Sequence, residues 1–140
     1  MFRQIVVTSF PMFPPNAVES YLEPWTREAV VSRLTHGTDL LIAAFAAGEI
    51  VGLVSGNAPE GGVGTIVWLL VDARWRGHEV GRALYDAACH AYRDVGAHKM
   101  KLTAPSERAK RFYERCGMRV EGTHPKHWYN VDFYSLGAAL

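Results

Sequence analysis

The run Val71-Asp72-Ala73-Arg74-Trp75-Arg76-Gly77-His78-Glu79-Val80-Gly81-Arg82-Ala83-Leu84 decides how this chain is read. An apolar stretch ends in a basic, glycine-containing turn, and a helical period starts at once from Val80. Main-chain N–H groups in such a turn converge on an anion at the positive end of a helix, so a phosphate-bearing ligand is one reading. A plain strand–glycine–helix connection is the other, and the residues around the turn must decide between them.

The chain has 140 residues, which suits one domain, 1–140, able to bury roughly two-thirds of its unfolded surface. Apolar residues make up 49% and charged ones 21%, the balance of an ordinary globule. Lys and Arg number 15 against 14 Asp and Glu, leaving +1, so no global field favours nucleic acid or anionic lipid. Cys89 and Cys116 each fall in an amphipathic helical pattern and read as small hydrophobes of a reducing compartment, not as a disulfide or a metal pair. The N-terminus lacks the pattern of a signal peptide, and no segment approaches the ~20 apolar residues of a membrane span. A cytoplasmic location is expected.

Working outward from the turn, Thr65 to Val71 is a nearly continuous apolar run, as in a central strand covered on both faces. Before it, Leu40 to Phe45 and Ile50 to Val54 flank Gly48-Glu49 as a hairpin, and Gly61 to Gly64 make another turn. Gln4 to Thr8 reads as a first strand, followed by a proline-rich break from Phe10 to Pro15. Helical pieces are expected near Ala17 to Leu22 and after Thr26 as N-cap. After the turn, Val80, Leu84, Ala87, Ala91 and Val95 space out a long helix that Gly96 stops. Lys99 to Thr103 alternates as a strand; Pro105-Ser106-Glu107 opens a short helix with a stripe of Ala109, Phe112, Tyr113 and Cys116, ended by Gly117. Met118 to Gly122 and Tyr129 to Leu136 read as the last strands. The order describes a mixed α/β (α+β) fold, a central twisted sheet of about six to seven strands with helices on both faces.

Two motifs in this order give the chain a resemblance to the GNAT acetyltransferase superfamily, whose members transfer acyl groups from coenzyme A to amines. The resemblance spans residues 39–136. The family's diphosphate turn, Arg/Gln-x-x-Gly-x-Gly/Ala, is matched by Arg76-Gly77-His78-Glu79-Val80-Gly81. Its later pattern, Asn-x-x-Ala-x-x-Phe/Leu-Tyr-Glu-x-x-Gly-Phe, is matched by Ser106-Glu107-Arg108-Ala109-Lys110-Arg111-Phe112-Tyr113-Glu114-Arg115-Cys116-Gly117-Met118. Glu79 departs from the pattern where a glycine is usual: a Cβ restricts the turn if positive φ is required, and a carboxylate repels a diphosphate. Ser106 departs where Asn is usual, altering one hydrogen bond to the cofactor arm or to the backbone.

The resemblance implies acetyl-CoA as co-substrate with no metal. It implies that the Ile66 to Val71 strand splays from its neighbour, offering the backbone of Leu69, Leu70 and Val71 to the pantetheine arm and to the thioester carbonyl; the same residues also read as plain sheet core. The turn from Arg76 through Gly77, His78, Glu79, Val80 and Gly81 to Arg82 would hold the diphosphate, with Ser106 and Lys110 nearby. Lys110 and Arg111 read equally as a solvated face. Tyr113 matches the family's tyrosine beside the sulfur and would donate a proton to the leaving thiolate; the alternative is that it only extends the Ala109–Phe112–Cys116 stripe.

A general base is harder to find. Where many members carry a strand glutamate, this chain has Val67 and Trp68. Asp132, His124, His127 and Glu60 are the candidates elsewhere, and the two histidines lack the spacing and third ligand of a metal site. His36, His90 and His98 carry no signal. Phe10, Phe13, Tyr21, Trp25, Trp128 and Tyr129 are expected around the acceptor, where aromatic walls suit a flat or hydrophobic amine, although each taken singly reads better as core and cover. The expected activity is N-acetyl transfer to a primary amine, of a small molecule or a peptide, by direct attack in a ternary complex. The competing expectation is a non-catalytic acyl-CoA-binding module. No nucleic acid or membrane is expected as partner, and at most a second copy of the chain.

Overall fold

The computed structural model describes residues 8, 11–23, 26–36 and 39–140. Pro15 sits at the first position of helix α1 (Pro15–Leu22), where its missing N–H is harmless. Thr26 caps α2 (Arg27–His36), its Oγ1 accepting the Ala29 N–H at 3.2 Å. Strands β1 (Leu40–Ala46) and β2 (Glu49–Glu60) meet at Ala47-Gly48, both left-handed at φ 49 and 77. Then come β3 (Val63–Val71), α3 (Val80–Asp94), β4 (Lys99–Ala104), α4 (Glu107–Arg115), β5 (Arg119–His124) and β6 (Phe133–Ala139). Of the strand expected from Gln4 to Thr8, Gln4 to Val7 lie outside the described residues, and Thr8 is helical. The last strand begins later than the pattern suggests. Tyr129 and Asn130 are left-handed, φ 54 and 61, so Trp128–Asn130 forms a 3₁₀ turn that no ladder accommodates.

The sheet has six strands in the order β1-β2-β3-β4-β6-β5, antiparallel throughout except where β3 meets β4. That one parallel contact is short: Val63, Gly64 and Thr65 pair with Lys99, Met100 and Lys101, and there it stops. Beyond it β4 continues beside β6 alone, while β3 keeps only β2. The sheet therefore opens after Thr65. Which groups face the opening follows from the ladder. Asp72 N–H donates to Val51 C=O at 2.8 Å, so Val51 and Asp72 are a hydrogen-bonded pair; two residues back, Leu53 and Leu70 are the next such pair. The backbone of Leu70 is thus turned to β2, and the N–H and C=O groups of Leu69 and Val71 face the gap.

Helices cover both faces, as the sequence indicates. On one face α3 and α4 pack Leu84, Tyr85, Ala88, Tyr92 and Tyr113 against Met100, Leu102 and Leu136. On the other, Phe13 with Ala17 and Val18 of α1 meets Trp68, Leu70 and Phe133. The buried face of α3 is rotated from the expected one. Val95 lies beyond the helix and is 66% exposed, while Leu84, Tyr85, Ala88, Cys89 and Tyr92 are buried. A count of alanines and valines passes over the tyrosines, which carry far more apolar surface. In urea unfolding, Leu84→Ala is expected to cost about 2–5 kcal/mol and Val95→Ala within about 0.5 kcal/mol; equal losses would restore the Val95-centred face.

Candidate active site

The turn between β3 and α3 is built by local hydrogen bonds. Asp72 accepts the Arg74 N–H at 2.9 Å and the Arg74 guanidinium at 2.8 Å, and these bonds hold its carboxyl below the usual carboxylate range. Trp75 N–H returns to Asp72 C=O at 2.8 Å. Two left-handed residues then reverse the chain: Gly77 at φ 79, at no steric cost, and Glu79 at φ 64, against its Cβ. Glu79 is the N-cap of α3 but makes no side-chain capping bond. Consequently the first-turn N–H groups of Val80, Gly81 and Arg82, with that of Gly77, have no acceptor among the described residues. This is an uncapped, electropositive helix terminus.

Across from it stands α4. Ser106 caps this helix, its Oγ accepting the Ala109 N–H at 3.1 Å, so the serine does the backbone-capping work open to an Asn at that place. Gly81 sets the spacing between the helices, because a Cβ there would come within 3.2 Å of the Phe112 ring. Arg82 pairs with Asp86 at 3.1 Å and reaches the Arg115 carbonyl at 3.4 Å, tying the start of α3 to the end of α4. Between the helices and the free edge of β3 lies a cleft of about 490 Å³.

Leu69 and Val71 form one wall, with every residue from Arg76 to Arg82 except His78. Ser106, Arg108, Phe112, Tyr113 and Cys116 contribute to the opposite one. Desolvation, then the neighbouring Arg108 charge, lowers the Arg76 pKa from its usual value. Arg108 itself has no carboxylate partner among the described residues. Two guanidiniums on the lining beside an uncapped helix start make a site suited to an anion. Deeper in, Tyr113 is 8% exposed and its hydroxyl makes no hydrogen bond among the described residues. Burial, with Cys116 and Tyr85 beside it, pushes its pKa upward. The group is a neutral donor without an acceptor among the described residues.

Some expected residues are elsewhere. Leu70 turns its backbone to β2 and its side chain to the far core. His78 spends its N–H on Trp75 C=O at 3.3 Å, and its ring lies edge-on to Trp75, outside the cleft lining. Lys110 pairs with Glu107 at 3.0 Å and sits over the Tyr134 ring, while Arg111 lies 4.0 Å from Glu107; neither lines the cleft. The basic residues of α4 that do line it are Arg108 and, at the far end of the helix, Arg115. Helical phase could have found Arg108, which lies one turn before Phe112 on the same face.

Among the base candidates, Glu60 ends β2 next to Val63, six residues from Leu69, which at about 3.3 Å per residue removes it by about 20 Å. Asp132 accepts the Lys126 N–H at 2.8 Å, and His124 Nε2 lies 2.7 Å from Ser135 Oγ. His127 packs edge-on to Phe133 at 5.3 Å. No cluster of three or more potential metal ligands occurs among the described residues. On the sheet face opposite α3 and α4, Phe13 stacks on Phe133 and tilts against Tyr129, both at 6.1 Å. Phe10, Trp25 and the Tyr21 side chain lie outside the described residues.

The sequence profile of the acetyltransferase (GNAT) family matches residues 2–118. No curated protein matches the chain. Among solved structures, the PaiA N-acetyltransferase of Thermoplasma acidophilum in complex with coenzyme A is similar with a TM-score of 0.82 at 16% identity, over 99% of this chain and 87% of that one. An aminoglycoside 6'-N-acetyltransferase complexed with coenzyme A gives 0.72 at 15% identity, over 98% and 87%. The ribosomal-protein-S18-alanine N-acetyltransferase of Escherichia coli gives 0.70 at 16% identity, over 83% and 77%. These likenesses establish the common fold.

The strain at Glu79 is measurable. Glu79→Gly relieves the left-handed backbone and is expected to raise stability by about 0.5–1 kcal/mol net of glycine's greater unfolded freedom; urea denaturation showing a loss would mean that the turn is not left-handed at this residue.

Proposed function

The chain belongs to the acetyltransferase (GNAT) family and is an acetyltransferase; on that premise we propose that it moves the acetyl group of acetyl-CoA to a primary amine by direct attack in a ternary complex. One observation carries the reading: an uncapped helix start with Arg76 and Arg108 beside it lies on the same cleft as the unpaired edge of β3 and the buried Tyr113 hydroxyl. A diphosphate suits the first element. An extended amide-bearing arm suits the second, adding to β3 as a strand would. A developing thiolate suits the third.

In this reading the N–H groups of Leu69 and Val71 are the nearest main-chain donors for the arm and the thioester carbonyl. The free amine enters on the sheet face opposite α3 and α4, beside the exposed Tyr129 ring, which tilts against the buried Phe13. Its nitrogen attacks the carbonyl carbon, the C–S bond breaks, and the sulfur takes the Tyr113 proton, which solvent replaces. The ammonium loses its extra proton to water, since β3 carries Val67 and Trp68 where a carboxylate would serve. The aromatic entrance favours a hydrophobic or flat amine.

The test is calorimetric titration with acetyl-CoA and with coenzyme A, followed by turnover over a panel of amines. Binding and turnover are expected; binding neither ligand would overturn the proposal. Binding of both without any turnover would instead identify the non-catalytic acyl-CoA-binding module, which the Glu79 carboxylate and the absent strand glutamate favour. Tyr113→Phe should lower kcat about 100-fold and leave acetyl-CoA affinity unchanged. Because burial raises the Tyr113 pKa, the donor stays protonated as pH rises. The wild-type rate should therefore climb toward the amine pKa of about 10.4 without a descending limb below about pH 10. A fall near neutrality, or an unchanged rate in the variant, would remove Tyr113 as the acid.

A further inference from the structure

We propose that Tyr92, on the far turn of α3, is a positioning residue that sets where β3 leaves β4 and so which backbone groups meet the pantetheine arm; the inference rests on the acetyl-CoA reading above. The parallel pairing ends at Thr65. Immediately beyond, β3 bulges: Ser55 pairs with Trp68 and Gly56 with Ile66, leaving Val67 unmatched and 45% exposed in a central strand. A bulge disrupts the ladder, and here one side chain takes up the disrupted carbonyls. The Tyr92 hydroxyl lies 2.8 Å from Asn57 C=O and 3.0 Å from Thr65 C=O, sharing its single proton between the two strands.

Two strand glycines exist to admit it. A Cβ on Gly56 would overlap the Tyr92 hydroxyl and lie 2.6 Å from Thr65 C=O. A Cβ on Gly64 would lie 2.6–2.7 Å from the Tyr92 ring. Neither glycine has positive φ, so close approach and not a turn is the reason for both. The position of the bulge matters because strand groups alternate. A slip of one residue would turn Leu69 and Val71 toward β2 and present Leu70 to the opening instead. Tyr92 is 2% exposed and does not line the cleft, so any effect on ligand binding is indirect, and its bonds lead to β2 and β3.

Tyr92→Phe keeps the ring in its slot and removes only the hydroxyl. Calorimetry on wild type and variant would compare coenzyme A with ADP, which offers the diphosphate but no pantetheine. The Kd for coenzyme A is expected to rise about tenfold, with that for ADP unchanged within about twofold. Unchanged coenzyme A affinity, or equal losses for both ligands, would overturn the role. Replacing Tyr92 with 4-aminophenylalanine, which restores a donor at the same place, should recover the wild-type affinity, and failure to recover it would count against the proposal even if Tyr92→Phe proved unstable. Wild-type protein that binds neither ligand would defeat the acetyl-CoA reading itself, an outcome separate from any behaviour of the variant.

Discussion

The free edge of β3 is the constraint on which the rest of this structure depends. A central strand ordinarily has both edges paired, because an unmet buried N–H or C=O costs about 1–3 kcal/mol. Here the pairing with β4 lasts for three residues and then ends, and the groups of Leu69 and Val71 face a cleft. The fold sustains this opening from both ends. Tyr92 and the bulge at Val67 hold its origin, and the Asp72 bond to Val51 holds its exit.

The helices complete what the sheet begins. The chain leaves β3 through a turn that cannot cap α3, because Glu79 is committed to a left-handed backbone and its side chain makes no capping bond. That helix start is then fixed opposite α4 by Gly81 against Phe112 and by Arg82 to the Arg115 carbonyl. One cleft thereby collects the Arg76 and Arg108 charges together with main-chain donors and a phenol that have no acceptor among the described residues. Glu79 is the exception to this concord. It combines backbone strain with a negative charge beside an uncapped helix start, and it stands where the pattern that the turn resembles has a glycine.

What the sequence disclosed and what it hid separate along physical lines. That a turn at Arg76 to Gly81 leads into a helix, that a short helix opens at Ser106 and that Tyr113 lies on its buried stripe were legible because these features are local: a few consecutive residues determine the backbone and the helix phase. The six-stranded sheet with helices on both faces was legible from the apolar run and its flanking turns. Arg108 escaped because Lys110 and Arg111 were weighed simply as basic residues of that helix, without its phase. Leu70 was grouped with its neighbours because the direction of a backbone group depends on the ladder to β2, and sequence alone does not specify that register. The delayed start of β6 escaped because left-handed Tyr129 and Asn130 carry strand-like or neutral side chains. Tyr92 escaped even as a core residue, and its polar role was hidden because its partners Asn57 and Thr65 lie 35 and 27 residues away.

Amide hydrogen exchange with and without saturating coenzyme A tests the central claim most directly. The account predicts slowing at Leu69, Val71, Gly77, Val80, Gly81 and Arg82, whose N–H groups await an acceptor, and no change at Leu70 and His78, whose N–H groups are already bonded. Exchange that stays fast at the first set, or slows equally at Leu70 and His78, would contradict it.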